Sequence, residues 1–383
     1  MDEEIRLLKD GQVIGQSYTI ERFLGEGAFA EVYRVRHRFL GRQAMKVFKA
    51  TGMSIEEIEQ MLQEAVLLSQ IHHRNIIQVF DANIAETSKG LCGYFTMEYL
   101  AGGSLDHHWK SFGLKLMPVE NAVDIVRQAS RGIAVGHSEK PPIVHRDIKP
   151  QNMLIGYDAG GMRVCVSDFG LAKRANPMTL MVSAKGTRVF KAPETFKDYQ
   201  KDSCMGDVWA LGCTLYLLLT DRFPFGDPGQ ASLVDDFNFD QPLIPPSQLN
   251  IQVDPGLDQI VCRCLAIHPK NRYPSAIQLL ADLEKWKPVE PGSISPAKMV
   301  ITETNKDALG PVSSPNQSEA RGMVEKALKL ARRADRLSEA ADLMEEAFNK
   351  WPDLREEYEW QVTLWRRGVM TVAMPPDRNA SNK

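Results

Sequence analysis

The chain has 383 residues, 43% of them hydrophobic and 25% charged, with a formal net charge of −3. That length is enough for two or three domains. The composition is ordinary for folded soluble protein, and so small a net charge gives no support to a nucleic-acid or membrane partner. The six cysteines are scattered, and Cys262 and Cys264 stand too close for a C-x-x-C pair, so they read as reduced, mostly buried thiols of a cytoplasmic protein.

Residues 1–17 form a short lead with room for one strand, and the opening MDEEIRLLKD lacks the apolar run of a signal peptide. Short β-like runs follow at Tyr18-Thr19-Ile20, Val32-Tyr33-Arg34-Val35 and Ala44-Met45-Lys46-Val47-Phe48. Between the first two lies Leu24-Gly25-Glu26-Gly27-Ala28-Phe29-Ala30-Glu31. Gly25 and Gly27 permit a tight strand–turn–strand whose backbone N–H groups can approach phosphate oxygens. Alone, such a pair reads as a plain hairpin. A dinucleotide fold would need the glycines to open a helix, and here an alternating, β-branched strand follows instead. Lys46 is the only charge in its apolar run. Residues 54–71 have helical periodicity through Ile55, Ile58, Leu62, Ala65 and Val66, opened by a Ser54/Glu57 capping box, and carry Glu64. Ile76-Ile77-Gln78-Val79 and Leu91 to Leu100 read as two further strands, the second running into the turn cluster Ala101-Gly102-Gly103-Ser104-Leu105.

After Pro118 the pattern is helical to Glu139, and then comes His145-Arg146-Asp147-Ile148-Lys149-Pro150-Gln151-Asn152. Pro150 discourages a helix, so the stretch reads as a loop anchored by Ile143-Val144 before it and Met153-Leu154-Ile155 after it. It offers a carboxylate to accept a hydroxyl proton, an ammonium to meet a phosphate and an amide oxygen to ligate Mg²⁺, which is the equipment of phosphoryl transfer. Val164 to Ser167 is a strand that delivers Asp168-Phe169-Gly170. Residues 171–191 are basic, without an acidic residue, and lead into Ala192-Pro193-Glu194. The most apolar stretch, Val208 to Leu219, is too short to span a bilayer and reads as a buried helix; Ser275 to Trp286 is amphipathic.

This ordered conjunction resembles the eukaryotic-like (Hanks-type) serine/threonine protein kinase family over residues 18–287. The resemblance implies an α+β, bilobal fold with a small, mainly β N-lobe and a large, mainly α C-lobe. It implies ATP and Mg²⁺ as cofactors and a protein carrying a Ser or Thr acceptor as substrate. Asp147 would orient the nucleophile, Lys149 would offset developing charge, and Lys46, held by Glu64, would fix the α- and β-phosphates. Asn152 and Asp168 would hold Mg²⁺. Gly25 and Gly27 belong to the glycine-rich loop, whose third glycine is replaced by Ala30. Leu24, Val32, Ala44 and Leu154 match the apolar adenine slot, Met97 the residue that limits its depth, and the backbones of Glu98 and Leu100 its polar edge. Residues 171–191 match an activation segment with Thr179 and Ser183 as phosphosites for autophosphorylation, and Arg146 as their partner. Thr187, together with Lys149, points to Ser/Thr rather than Tyr acceptors. Asp207 and the pair Arg272–Glu194 would be structural.

From 288 to 318 the composition shifts to Pro, Ser, Gly, Thr and Asn, as in a flexible linker. Helical pattern returns over 319–368, where Ala327, Leu328, Ala331, Ala340, Met344, Ala347 and Pro352 resemble one tetratricopeptide-type repeat with a following helix (353–366) as a cap. A generic α-helical hairpin fits equally well. One repeat buries its own face poorly, so this segment is expected to pack on the kinase, self-associate or meet a protein partner; residues 369–383 read as a disordered tail. Three rivals differ in features. A pseudokinase scaffold would lack Lys46, Asp147 or Asp168, and a small-molecule phosphotransferase would lack the Gly186-Thr187 to Ala192-Pro193-Glu194 segment. In the third, the tail carries the main role.

Overall fold

The computed structural model describes residues 6–27, 30–49, 54–59, 62, 71–113, 116–169, 188–197, 203–225, 239, 241–288, 315–331, 333, 336–352 and 354–366. Its N-terminal part is a six-stranded antiparallel sheet of β1 (Val13–Ile14), β2 (Tyr18–Glu26), β3 (Ala30–His37), β4 (Gly41–Phe48), β5 (Val79–Thr87) and β6 (Gly90–Glu98), in the order β1-β2-β3-β4-β6-β5. Strand alternation divides its residues between two faces. Val32 is registered opposite Lys46 and Tyr33 opposite Met45. Tyr33, Val35, Met45, Val47 and Tyr94 bury into an apolar cluster on the outer face, together with Leu7 and Leu8 from the lead. Ala30, Ala44, Phe95 and Met97 join the main core on the other side.

The strand expected at Ile76–Val79 begins only at Val79 and runs on to Thr87. Ile76 instead forms an isolated parallel bridge to Val166, with Ile77 N donating to Val166 O at 3.0 Å and Val166 N to Asn75 O at 2.9 Å. This apolar β-branched pair therefore ties the sheet to the C-terminal part, while the strand proper is polar because it lies at the sheet edge. The helix expected over 54–71 is helical at 55–59 and 62; residues 63–70, Glu64 among them, lie outside the described residues.

The C-terminal part is helical: α1 (Leu105–Lys110), α2 (Val119–Ser138), then a hairpin of β7 (Met153–Asp158) and β8 (Gly161–Val166), α3 (Pro193–Lys197), α4 (Cys204–Thr220), α5 (Pro255–Cys264) and α6 (Ala276–Lys285). α4 is the post of this part, buried without interruption from Asp207 to Thr220. It is apolar on every side because α2, α5 and α6 surround it. Gly212 is needed for the closest approach, since a Cβ there would lie 2.5 Å from Cys264 Cβ. All six cysteines are free thiols, four of them buried.

Arg272 closes the base. Its side chain is fully buried, and its Nη1 and Nη2 meet Glu194 Oε1 and Oε2 at 2.7 and 2.8 Å, while Nε donates to Ala266 O at 2.7 Å. The guanidinium also lies 4.7 Å over the Trp209 ring. Such a charge is tolerated inside only because carboxylate and carbonyls meet its donors.

Three further helices, α7 (Pro315–Leu330), α8 (Leu337–Lys350) and α9 (Leu354–Arg366), share a separate apolar core that includes Val324, Ala327, Ala340, Met344, Phe348 and Trp365. α7 starts at Pro315, inside the stretch expected to be linker, because a proline fits the first helical position where no N–H is required. The rest of that stretch from 289 and the expected disordered tail lie outside the described residues. Among the described residues no helix is long and apolar enough to cross a membrane.

Removing one partner of a buried pair leaves an uncompensated charge. Arg272→Met is expected to destabilise the protein by about 3–5 kcal/mol, and to lower the melting temperature by roughly 10 °C in a thermal scan. An unchanged melting temperature would deny Arg272 its structural role.

Candidate active site

The loop 145–152 hangs from one buried carboxylate on α4. Asp207 Oδ2 accepts from His145 N at 2.7 Å and Oδ1 accepts from Arg146 N at 2.9 Å. His137 Nδ1 accepts from Ala276 N at 3.1 Å, so its proton sits on Nε2, which donates to Asp207 Oδ2 at 2.9 Å. These bonds hold Arg146 at φ 71°, a left-handed conformation that a non-glycine residue keeps only when its surroundings demand it.

His145 then joins the loop to the end of β8. Its Nδ1 accepts from Asp147 N at 3.2 Å, so Nε2 donates to Ser167 O at 2.8 Å, and its ring packs 4.7 Å from Phe169. Burial pushes its pKa down and outweighs the opposing pull of Asp207, Asp147 and Asp168, so the ring is a neutral brace. Asp147 Oδ2 accepts from Asn152 Nδ2 at 2.9 Å and faces Lys149 Nζ at 2.8 Å, and the same Nδ2 donates to Asp147 O at 2.7 Å. The expectation of a loop without helix is corrected at Pro150–Asn152, which is one turn of 3₁₀-helix. Pro150 occupies its first position, where the missing N–H is harmless, and Lys149 before it is extended as a pre-proline residue should be.

Asp168 follows β8 at φ 63°, and its Oδ1 lies 2.6 Å from Lys46 Nζ. Burial pushes this carboxyl up, but Lys46, with Lys149 behind it, outweighs that effect and holds it below the usual carboxylate range. The partner of Lys46 in this structure is thus Asp168; Glu64 lies outside the described residues. So do Gly170, Thr179, Ser183, Gly186 and Thr187. One contact had no forewarning in the sequence: Lys191 Nζ donates to Arg146 O at 2.5 Å, tying the end of the basic segment to the loop.

The residues expected to form an apolar slot are divided between the core and its margin. Ala44 is registered opposite Met97 and both are buried, while Val32, Leu100 and Leu154 pack partly buried against the same core. Leu24 remains 38% exposed. Gly25 is registered opposite Val32, and Gly27 N donates to Ala30 O at 2.8 Å, so the glycines join two strands and open no helix. Gly102 N donates to Ile155 O at 3.0 Å, and Ile155 N to Gly103 O at 2.8 Å, so the segment after β6 docks on β7. A Cβ on Gly102 would sit 2.6 Å from that Ile155 oxygen, hence the glycine. Glu98 N donates to Gln78 O at 2.9 Å, and the Glu98 carboxylate is gripped by Arg163 at 2.6 and 2.9 Å. Arg163, a lone arginine on a strand, gave no sequence signal of this.

Among the described residues no three His, Cys, Asp or Glu side chains cluster as metal ligands. The oxygens on offer are the carboxylate of Asp168 and the amide oxygen of Asn152, whose Nδ2 is committed to Asp147. In wild type, the stability that the Lys46–Asp168 pair provides is present above the unfolded carboxyl pKa of about 4 and fades as pH falls through the lower folded value. In Lys46→Met, burial acts against a weaker opposing charge. The Asp168 carboxyl is therefore expected to titrate at higher pH than in wild type, as followed by its ¹³C carboxyl shift; an unmoved titration would contradict the pairing.

A model of the protein kinase domain matches residues 18–283. PknB, a serine/threonine-protein kinase of Mycobacterium leprae, is 32% identical over 301 residues, covering 77% of this chain and 46% of that protein. A probable serine/threonine-protein kinase of Clostridium perfringens is 29% identical over 314 residues, covering 80% and 43%. The chain thus spans about half the length of the curated relatives it matches. The crystal structure of the Mycobacterium tuberculosis PknI kinase domain superposes with a TM-score of 0.53 at 25% identity, covering 73% of this chain and 99% of that one. With a β-rich N-terminal part, a helical C-terminal part and a family match over residues 18–283, this chain belongs to the protein kinase family.

Proposed function

We propose that the protein is a serine/threonine protein kinase that transfers the γ-phosphoryl group of ATP to protein hydroxyls. The observation that carries this reading is the convergence of Lys46, Asp168, Asn152, Asp147 and Lys149 through contacts of 2.6–2.9 Å and the His145 brace. The names of the relatives support the Ser/Thr class, as does Lys149 two residues after Asp147.

In this reading Asp147 orients the acceptor hydroxyl and takes its proton, and Lys149 beside it steadies the charge that develops. Lys46 meets the α- and β-phosphates, with Glu64 as its second partner. Asp168 and the Asn152 amide oxygen suit Mg²⁺, which prefers hard oxygens and keeps several waters. Bound there, the cation neutralises charge on the β- and γ-phosphates. Adenine lies between Leu24, Val32 and Ala44 above and Leu154 below, with Met97 at its depth limit and backbone groups of Glu98 and Leu100 at its edge. The N–H groups of the Gly25–Gly27 turn cover the phosphates. Residues 171–191 act as activation segment, with Thr179 or Ser183 autophosphorylated and Arg146 as the phosphate's partner. Residues 18–287 form the catalytic domain, and the helices after 315, tetratricopeptide-like in their apolar pattern, serve a protein partner or self-association.

Transfer of label from γ-³²P-ATP with Mg²⁺ to a generic protein substrate tests the reading. Asp147→Asn and Asp168→Asn should each lose about 10²–10⁴-fold in rate, and mass spectrometry should find phosphate on Thr179 or Ser183 in the wild type alone. Wild-type rates in Asp147→Asn, or a wild type that binds MgATP and transfers nothing to protein, would contradict it.

A further inference from the structure

Residues 6–8 lie across the outer face of the sheet, away from the nucleotide cleft. Leu7 and Leu8 are each 1% exposed and complete the apolar cluster of Tyr33, Val35, Met45 and Tyr94. Their backbone polar groups converge on the start of β3. Leu7 N donates to Glu31 Oε2 at 3.0 Å, Leu8 N donates to Tyr33 Oη at 3.0 Å, and the Tyr33 hydroxyl donates to the same Glu31 oxygen. Arg6 lies 4.5 Å over the ring of Phe23 on β2, and that ring meets Tyr33 edge-on at 5.7 Å. At the β5–β6 turn, Ser88 N donates to Leu7 O at 3.0 Å and Ser88 Oγ to Arg6 O at 2.8 Å. Arg6 to Leu8 thus grip both arms of the glycine turn from behind and tie them to the opposite side of the sheet.

Glu31 is the pivot. It is 4% exposed, a buried carboxylate kept inside by an amide and a hydroxyl that both donate to it. It stands between Ala30, whose carbonyl closes the turn on Gly27 N at 2.8 Å, and Val32, which is registered opposite Lys46. Any shift of Glu31 along or across the sheet moves the base of the turn that carries Gly25 and Gly27.

We propose that Glu31 is a positioning residue for the polyphosphate of ATP: the Arg6–Leu8 strap acts through Glu31 and Tyr33 to set the glycine turn where its N–H groups reach the phosphates. This rests on the kinase reading above and adds to it a contact outside the cleft that governs nucleotide affinity. A strap with a purely structural role would change the melting temperature and leave the affinity of the folded protein for ATP alone.

The test uses the full chain, well below the melting temperature of each variant. It reads the Kd of a fluorescent ATP analogue with Mg²⁺, the KM for ATP and for a protein substrate, and kcat. Glu31→Ala is expected to raise the ATP Kd and KM about tenfold while kcat and the protein-substrate KM stay within about twofold. Glu31→Gln keeps an oxygen for Leu7 N–H and should restore ATP affinity to within about threefold of wild type. Tyr33→Phe keeps the ring in the core and removes only the hydroxyl, so it answers the same question if Glu31→Ala does not fold, with an expected rise of severalfold in ATP Kd. A lowered melting temperature with wild-type ATP Kd in these variants overturns the inference. A wild type that fails to bind MgATP at all contradicts the kinase reading instead.

Discussion

One buried carboxylate sets the geometry of the site. Asp207 is 2% exposed, and its two oxygens are engaged by two consecutive backbone amides and an imidazole. A charge in that position is stable only while those donors meet it, so the interaction works in both directions. The loop supplies the donors that Asp207 needs, and Asp207 holds the loop in a left-handed turn at Arg146 that it would not otherwise keep. Asp207 sits on α4, buried without interruption from Asp207 to Thr220, which fixes it in turn. Packing energy in α4 is thereby converted into the placement of Asp147 and, through Pro150, of Asn152.

A second link spans the two parts of the fold. Lys46 comes from the sheet and Asp168 from the end of β8, and they meet at 2.6 Å. The Ile76–Val166 bridge and the Gly102–Ile155 contact add backbone bonds to the β7–β8 hairpin from the segments that flank β5 and β6. His145 completes the circuit, because its two ring nitrogens bond one to the loop and one to Ser167, the residue before Asp168. Its depressed pKa follows from the same burial and keeps it neutral, so that it braces both without adding a positive charge of its own. Lys46 and Lys149, the cations proposed to meet phosphate, each stand beside a carboxylate.

The chemistry-bearing residues were the legible part of the sequence, because phosphoryl transfer needs particular side chains at fixed spacings. Asp147, Lys149 and Asn152 make direct contacts with one another, Asp168 is linked to them through the His145 brace, and Asp207 and Arg272 have the structural partners expected of them. Packing-determined features were less legible. β5 has little strand signal because Phe80 to Thr87 is an edge strand with polar residues, whereas Ile76–Ile77 has the apolar, β-branched pattern of a strand but serves a bridge instead. Pro150 speaks against helix only in a helix interior, and at the first position of this turn its missing N–H is harmless. Glu98–Arg163, Lys191–Arg146 and the strap on Glu31 join residues far apart in the chain, and no local pattern announces such pairs.

The central claim is that Asp207 governs chemistry by holding the loop rather than by touching the nucleotide. Asp207→Asn tests it most directly, since the amide is nearly isosteric but turns an N–H toward one of the two backbone donors. The measurement is single-turnover phosphoryl transfer beside direct titration of MgATP. The account predicts a transfer rate lower by about 10²-fold, with the MgATP Kd within about threefold of wild type. A transfer rate equal to that of wild type would contradict it, and the loop would then owe its geometry to something other than this carboxylate.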